Sequence, residues 1–479
     1  MTDGEPRRPD DLLRAFRDAG QGHVFRWWDE LDAAARERLL SQLRRIDLVQ
    51  MARLADGARR GALGAALDGQ VARPDFIPLS ADAAQEAKRR AARELGEERI
   101  AAGAVAALTV AGGQGTRLGS EAPKALFPIA PVTGKSLLQM HAEQILATRR
   151  RYGAVVPWYI MTSDATHEPT RRFLNEHDCF GLGVGNVRCF QQRVLPALDH
   201  DFRIVMTAKD SILLSPNGHG GTLLALRETG VLEEMTSRGV EQISYFQVDN
   251  PLVRAVDPVF IGFHCRPNAE MSSKAIPKRD PGERVGAFVR IGGRLTVVEY
   301  SDLSPEQMRR RAPDGPLLYG LGSPAIHVIS VAFVRRETEG GLRLPFHLVE
   351  KSSPFLDDSG RVVEPECNNI YKFETFIFDA LRDAERSVII EASRAEEFSP
   401  VKNAEGEDSV ETCRRDLVAR CARWLESADA DVRRRDDGAP AMPLEISPLH
   451  ALDVEELAGK TPKGLRVEEA LYLGPDDRP

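Results

Sequence analysis

The sequence predicts an α/β fold: a mainly parallel mixed sheet flanked by helices, with a helical region before it and a small domain after it. Three observations predict this. Apolar runs at 105–111, 155–161, 187–191 and 243–248 alternate with helical stretches, the pattern of a parallel sheet with crossover helices. The first of these runs leads straight into a glycine-rich loop, Gly112-Gly-Gln-Gly-Thr-Arg-Leu-Gly119. In open α/β sheets ligands sit beyond the carboxyl ends of strands, where such loops lie. Finally, 479 residues exceed one ordinary core, so two or three domains are expected. The expected division is a helical region over 1–100, a catalytic domain over 101–395 and a small C-terminal domain over 396–479.

Along the chain, Asp10 to Ala19 has apolar residues at 12, 13 and 16, which is helix spacing. Phe25 to Leu31 continues the pattern, and Ala33 to Met51 is rich in Leu, Arg and Ala. Pro74 to Pro78 interrupts it. Ala81 to Leu95 reads as a further helix, part of an arm that packs on the next domain with its arginines in solvent. Ser136 to Arg150 is a helix with apolar positions at 137, 138, 145 and 146. Asp429 to Gly438 is charged and reads as an exposed loop or linker. There is no internal repeat.

Composition narrows the function. A net charge of −8 and a pI near 5.8 argue against general nucleic-acid binding, which needs a basic footprint. No run approaches the ~20 apolar residues of a membrane span. Met1 to Arg8 lacks the apolar core of a signal peptide. The six cysteines, at 179, 189, 265, 367, 413 and 421, form no C-x-x-C. Zinc is therefore not expected, and free thiols in a reducing cytoplasm are.

The glycine loop carries Arg117 and is followed by Lys124. Glycines let backbone N–H groups approach a ligand closely, and two cations beside them suit a polyphosphate. A dinucleotide-binding G-x-G-x-x-G fails at Leu118, which disfavours a Rossmann oxidoreductase. A P-loop ending in Gly134-Lys135-Ser136 fails at Ile129. The complete match is Gly112, Gly113, Gly115, Thr116, Arg117, Leu118, Pro123 and Lys124, the loop of nucleoside-triphosphate:sugar-1-phosphate transferases.

Further motifs follow in order: Trp158 to Ser163, Phe190-Gln-Gln192, Val248-Asp-Asn250, Asp257-Pro258 with Phe260 to Phe263, Val298 to Ser301, Glu397 to Ala404 and Glu445 to Pro448. On these the chain resembles the UTP:sugar-1-phosphate uridylyltransferases over most of its length. It is most similar to the eukaryotic-type UDP-N-acetylglucosamine pyrophosphorylases. The resemblance implies a Rossmann-like nucleotidyltransferase core, UTP and a sugar 1-phosphate as substrates, Mg²⁺ as cofactor, and no nucleic-acid or membrane partner. It implies that Arg117, Lys124 and Lys402 hold the reacting phosphates, with Lys372 a further phosphate ligand and Asp249 the metal ligand. Val110, Ala111, Gly112, Gly113, Gln192 and Gly218 would form the uridine pocket, and His219, Glu299, Tyr300 and Ser323 would meet the sugar.

The residue types suit that chemistry. A sugar phosphate is already an anionic nucleophile, so the site needs alignment and cations in place of a Ser/His or Cys/His pair. A carboxylate at a strand end suits Mg²⁺, which prefers oxygen ligands and phosphates. Asp-Asn-Pro is equally a turn sequence, so Asp249 rests on its motif context. The glutamine amide donates and accepts, as a pyrimidine edge requires.

Two departures concern the sugar. Pro216-Asn-Gly-His-Gly-Gly221 carries His219 where the acetylglucosamine enzymes have asparagine, and its Gly-His-Gly is similar to glucose and broad-specificity enzymes. Ser323 stands where those enzymes have asparagine near the acetamido group. A third change, Ala125-Leu-Phe127, follows Lys124. The alternatives to an acetylglucosamine enzyme are a glucose or broad UDP-sugar enzyme and, in another class, an inactive nucleotide-sugar-binding regulator.

Overall fold

The computed structural model describes residues 9–64, 69–79 and 82–475. The segment Met1 to Arg8 and the first residue of the helix expected from Ala81 lie outside these. The chain divides into two compact units, each built from separate stretches. The smaller comprises described residues of 1–67 with 192–221 and 343–379. The larger comprises those of 68–191 with 222–342 and 380–479.

Among the described residues the larger unit is built on an 11-stranded mixed sheet. Strands Gln242–Gln247, Val105–Val110, Trp158–Thr162 and Val187–Gln191 lie side by side, all parallel. These are the four runs read from the sequence, shifted by at most three residues. Val105–Val110 is buried along its whole length, the continuous apolar pattern of a strand covered on both faces. His327–Ser330 adds to Gln242–Gln247 in the antiparallel sense and Met271–Pro277 adds to it in turn, which makes the sheet mixed.

Helices Ala83–Ala101, Leu137–Tyr152 and Pro258–Cys265 contribute to the core of this sheet. Asp82 and Ser136 cap the first two by accepting from Gln85 and Gln139 N–H, which satisfies otherwise orphaned donors. Helices Ala83–Ala101 and Pro258–Cys265 touch backbone to backbone: a Cβ on Gly262 would lie 1.7 Å from Ala92 O, and one on Gly96 would lie 1.8 Å from Pro258 O. This explains the glycine in the Phe260-Ile-Gly-Phe263 motif. Gly262→Ala is expected to destabilise the protein by at least the ~1–3 kcal/mol of an overpacked core. Thermal denaturation checks this, and an unchanged midpoint would refute the close approach.

The smaller unit packs helices Pro9–Asp18, Ala33–Leu43 and Leu48–Arg59 with short antiparallel ladders, including His347–Lys351 with Ile370–Glu374 and Val194–Pro196 with Leu214–Pro216. The helical reading of 33–51 is corrected here, because Asp47 caps a new helix by accepting from Val49 and Gln50 N–H. Gly22–Phe25 and Trp28–Glu30 are 3₁₀ turns, not a continuous helix. Two glutamines tie the helices to distant chain. Gln21 Oε1 accepts from Ile204 N–H, and Gln42 Oε1 accepts from Ile212 N–H.

Near the C-terminus, Cys421 to Leu473 contribute a separate apolar cluster with Leu425, Leu444 and Leu457 at its centre. The stretch read as an exposed linker contains Asp431–Val432, which pairs with Arg466–Val467 and buries Val432 in that cluster. It is therefore part of the fold. All six cysteines are free thiols. No helix among the described residues is long and apolar enough to cross a membrane.

Candidate active site

Within the larger unit, strand Val105–Val110 ends between two parallel neighbours. Ala111 N–H donates to Met161 O at 2.7 Å, and Val110 O accepts from Val248 N–H at 3.1 Å. The glycine loop therefore leaves the sheet beside the strand end that carries Asp249. Its first turn is held from outside the loop: Ser163 Oγ donates to Gly112 O at 2.8 Å and Thr166 Oγ1 to Ala111 O at 3.1 Å. Ser163 and Thr166 also form the capping box of helix Asp164–Glu176. The Ser-x-x-Thr spacing was a readable signal for that cap, but not for its hold on the loop.

The loop then folds back on itself. Gly115 N–H donates to Ala122 O, and a Cβ at Gly115 would lie 2.6 Å from the same oxygen, so only glycine fits. Lys124 N–H donates to Gly113 O at 3.1 Å. This return brings the Lys124 ammonium to 3.4 Å from Asp249 Oδ2, with the two side chains only 16% and 21% exposed. Residues 125 apart in sequence thus form one charged pair at the strand ends. Arg117 is exposed on the loop, and among the described residues no hydrogen bond or ion pair of its guanidinium is present.

Lys402 is brought to the same place by its backbone. Val401 N–H donates to Asp249 O at 2.8 Å. Asn250 grips the approach to it: its Nδ2 donates to Glu397 O at 2.7 Å and its Oδ1 accepts from Ser399 N–H at 3.1 Å. The Lys402 ammonium pairs with Asp408 at 3.0 Å and is 38% exposed. Beneath this loop Lys274, fully buried, bridges Asp257 and Glu397, at 2.6 Å from Asp257 Oδ2. Burial pushes the Asp257 carboxyl up, but Lys274, Arg254 and the Val259 N–H outweigh it and hold it at about 2. His141 lies under the Asp249 strand end, donating from Nε2 to Val248 O at 3.0 Å; burial lowers its pKa to about 4 and keeps it neutral. Asn250, Lys274 and His141 were missed as site-forming residues because their partners are far away in sequence, and Asp408 was missed although Lys402 is six residues away.

Among the described residues no group of three or more His, Cys, Asp and Glu is gathered to hold a metal. Asp249 stands beside a lysine and belongs to no such group. That donor set fits Mg²⁺ taking its remaining ligands from substrate phosphate and water, and it does not fit a metal held by protein alone.

Two of the expected sugar residues also meet in this unit. Ser323 N–H donates to Gly286 O at 2.8 Å, and a Cβ on Gly286 would lie 3.0 Å from Glu299 Oε1. Gly286 thus brings Glu299 and Ser323 together, and Ser323 Oγ is shielded without a hydrogen-bond partner among the described residues. Tyr300 opens the 3₁₀ turn after Glu299 and is half-buried.

Gln192, Gly218, His219 and Lys372 belong to the smaller unit. Gln192 is buried, and its amide oxygen has no hydrogen-bond partner among the described residues. Gly218 has φ +82° and runs against Thr375, whose carbonyl accepts from Gly220 N–H at 2.8 Å. His219 Nδ1 accepts from Ile377 N–H at 3.2 Å, and its ring lies 5.4 and 5.7 Å from those of Phe376 and Phe378. Burial lowers its pKa to about 4, so the imidazole is neutral. Lys372 is half-buried on Ile370–Glu374, and burial lowers its pKa despite Glu374 nearby.

The parallel sheet and its glycine loop define an α/β nucleotidyltransferase. The family model described as UTP–glucose-1-phosphate uridylyltransferase matches residues 69–418, and the chain belongs to that family, which makes it a uridylyltransferase of the pyrophosphorylase type. It is 37% identical to UDP-N-acetylhexosamine pyrophosphorylase-like protein 1 of Xenopus tropicalis, covering 91% of each chain. It is 33% identical to the UDP-N-acetylglucosamine pyrophosphorylase of Saccharomyces cerevisiae over 88% of this chain and 92% of that one. The structure of the Trypanosoma brucei UDP-N-acetylglucosamine pyrophosphorylase in complex with inhibitor superposes with a TM-score of 0.79, at 25% identity, over 98% of this chain and 99% of that one.

Proposed function

We propose that the protein transfers UMP from UTP to an N-acetylhexosamine 1-phosphate, with Mg²⁺, giving the UDP-sugar and pyrophosphate. The supporting observation is the tie among the glycine loop, Lys124, Asp249 and the Val401–Lys402 segment. An oxygen of the sugar phosphate bonds to the α-phosphorus while the α–β bridging P–O bond breaks, and no proton need move. The barrier is anionic repulsion, so preorganised cations and dipoles carry the catalysis. Loop N–H groups and Arg117 hold the β- and γ-phosphates, Lys124 follows the charge that develops on leaving pyrophosphate, and Lys402 exchanges Asp408 for phosphate oxygen. Mg²⁺, held by Asp249 and phosphate, would neutralise charge at the α-phosphate. Gln192 would read the uracil edge, and Gly218 and Lys372 would serve the nucleotide.

Lys124→Ala is expected to reduce kcat/KM for UTP by about 10²-fold, the effect of one transition-state donor. An unchanged value would remove Lys124 from the site.

The sugar assignment follows the relatives, while Ser323 and His219 favour a second reading with plain hexoses. The Ser323 hydroxyl, shielded and without a hydrogen-bond partner among the described residues, would be the group that discriminates. The deciding experiment is pyrophosphate release with UTP and the 1-phosphates of glucose, galactose, N-acetylglucosamine and N-acetylgalactosamine. Preference for the acetamido sugars supports the first reading. Preference for the plain hexoses replaces it with the second, and release with none of the four overturns both.

A further inference from the structure

A cleft of about 450 Å³ in the larger unit is lined by four arginines, Arg290, Arg294, Arg382 and Arg386, and by Ser387. None of its lining residues belongs to the catalytic loop or to the sugar residues. Two arginines come from the hairpin Ala287–Ile291 and Arg294–Val298, and the other two from the segment that leads into strand Ile389–Glu391. The two pieces are joined, because Arg294 Nη1 donates to Arg382 O at 2.8 Å. Arg290 Nη1 donates to Gly293 O at 2.9 Å and Arg386 Nε to Asn268 O at 2.8 Å. The segment is fixed from behind: Glu270 Oε2 accepts from Glu385 N–H at 2.6 Å, and Arg336 Nη2 donates to Asp383 O at 2.8 Å.

The charge in this cleft does not balance. Its lining carries four arginines, always protonated, and two carboxylates, Asp383 and Glu385. Arg386 pairs with Glu385 at 3.6 Å, an exposed contact that neutralises little. This excess of positive charge stands on a chain with net charge −8. Ser387 Oγ is shielded from solvent and has no hydrogen-bond partner among the described residues. Like charges fixed together on a rigid scaffold repel one another, and a bound anion relieves that repulsion.

We propose that this cleft is a second anion site, which binds a small molecule through its polyphosphate. The guanidinium fork matches phosphate oxygens two at a time. The volume lies in the range of small-molecule pockets, about 300–1,000 Å³, and favours such a ligand over an acidic protein surface, which needs a far larger contact area.

The test is calorimetric titration of inorganic tripolyphosphate into the full chain, at low salt and without divalent metal. Lys124→Ala, which weakens the catalytic site, is expected to retain tripolyphosphate binding. Arg290→Ser/Arg386→Ser on that background is expected to weaken it at least about tenfold, the effect of losing one charge-assisted hydrogen bond. In the otherwise wild-type chain the same pair of changes leaves basal pyrophosphate release and the unfolding midpoint in place. If the double variant does not fold, Arg386→Gln, an exposed change, carries the measurement. Binding that disappears in Lys124→Ala, or that is equal with and without the arginines, overturns the proposal. Both results are independent of which sugar the enzyme uses.

Discussion

Asp249→Ala is expected to lower kcat by about 10³-fold or more, with no recovery at any Mg²⁺ concentration. The magnitude follows from losing the several kcal/mol of charge stabilisation that a metal at a transferring phosphoryl group supplies. The protein should still fold. Asp249 contributes to the packing of the 397–402 segment through its backbone carbonyl, which accepts from Val401 N–H whatever the side chain. The Asn250 clamp on Glu397 and Ser399 is likewise untouched. Asp249→Asn sharpens the test, since it keeps an oxygen facing Lys124 and removes only the charge. Turnover and circular dichroism should be measured together on both variants. A folded Asp249→Asn with wild-type turnover would falsify the metal role.

The second large effect is on stability. Lys274→Met is expected to cost about 3–5 kcal/mol, because it leaves Asp257 and Glu397 buried without their cation. Adding Asp257→Asn and Glu397→Gln should recover much of the loss, since a neutral triplet has no uncompensated charge. Chemical denaturation of the single and triple variants decides this, and a single variant as stable as the wild type would show that the triad is not needed. The pH dependence has a defined sign. The Asp257 carboxyl titrates at about 2 in the folded protein against a usual 3.8. Its contribution is therefore complete above about pH 4 and is lost as pH falls from there through 2. An acid titration of stability that stays flat across that window would contradict the depressed value.

Lys274 also shows where sequence reading stops. The strand runs, the glycine loop and the order of motifs were legible because each is local: burial on both faces of a strand writes a continuous apolar run, and a tight loop writes glycine. Arg117, Lys124, Asp249 and Lys402 were legible through the motifs that contain them. Asn250, Ser163 and Asp257-Pro258 lay inside quoted motifs, but their tasks were not readable. Asn250 acts on Glu397 and Ser399, and Asp257 acts on Lys274, across 17 to 149 residues of chain. The split of 33–51 at Asp47 was missed although Asp is a good N-cap, because the apolar spacing continues through it.

By itself the sequence determined that the chain has a mainly parallel mixed sheet with a glycine-rich loop at a strand end, and it determined the family. Apolar periodicity, glycine and motif order act within a few residues of each other, so they survive in one dimension. Only the tertiary structure decided that Lys124 faces Asp249, that Gly286 brings Glu299 to Ser323, and that Cys421 to Leu473 share an apolar cluster. It alone decided that the described parts of 1–67 join 192–221 and 343–379 in one unit and that four arginines share one cleft. Those contacts join groups far apart in the chain. Their partners are chosen by shape, charge and the need to satisfy buried polar groups in three dimensions, and no local pattern of residues records that choice.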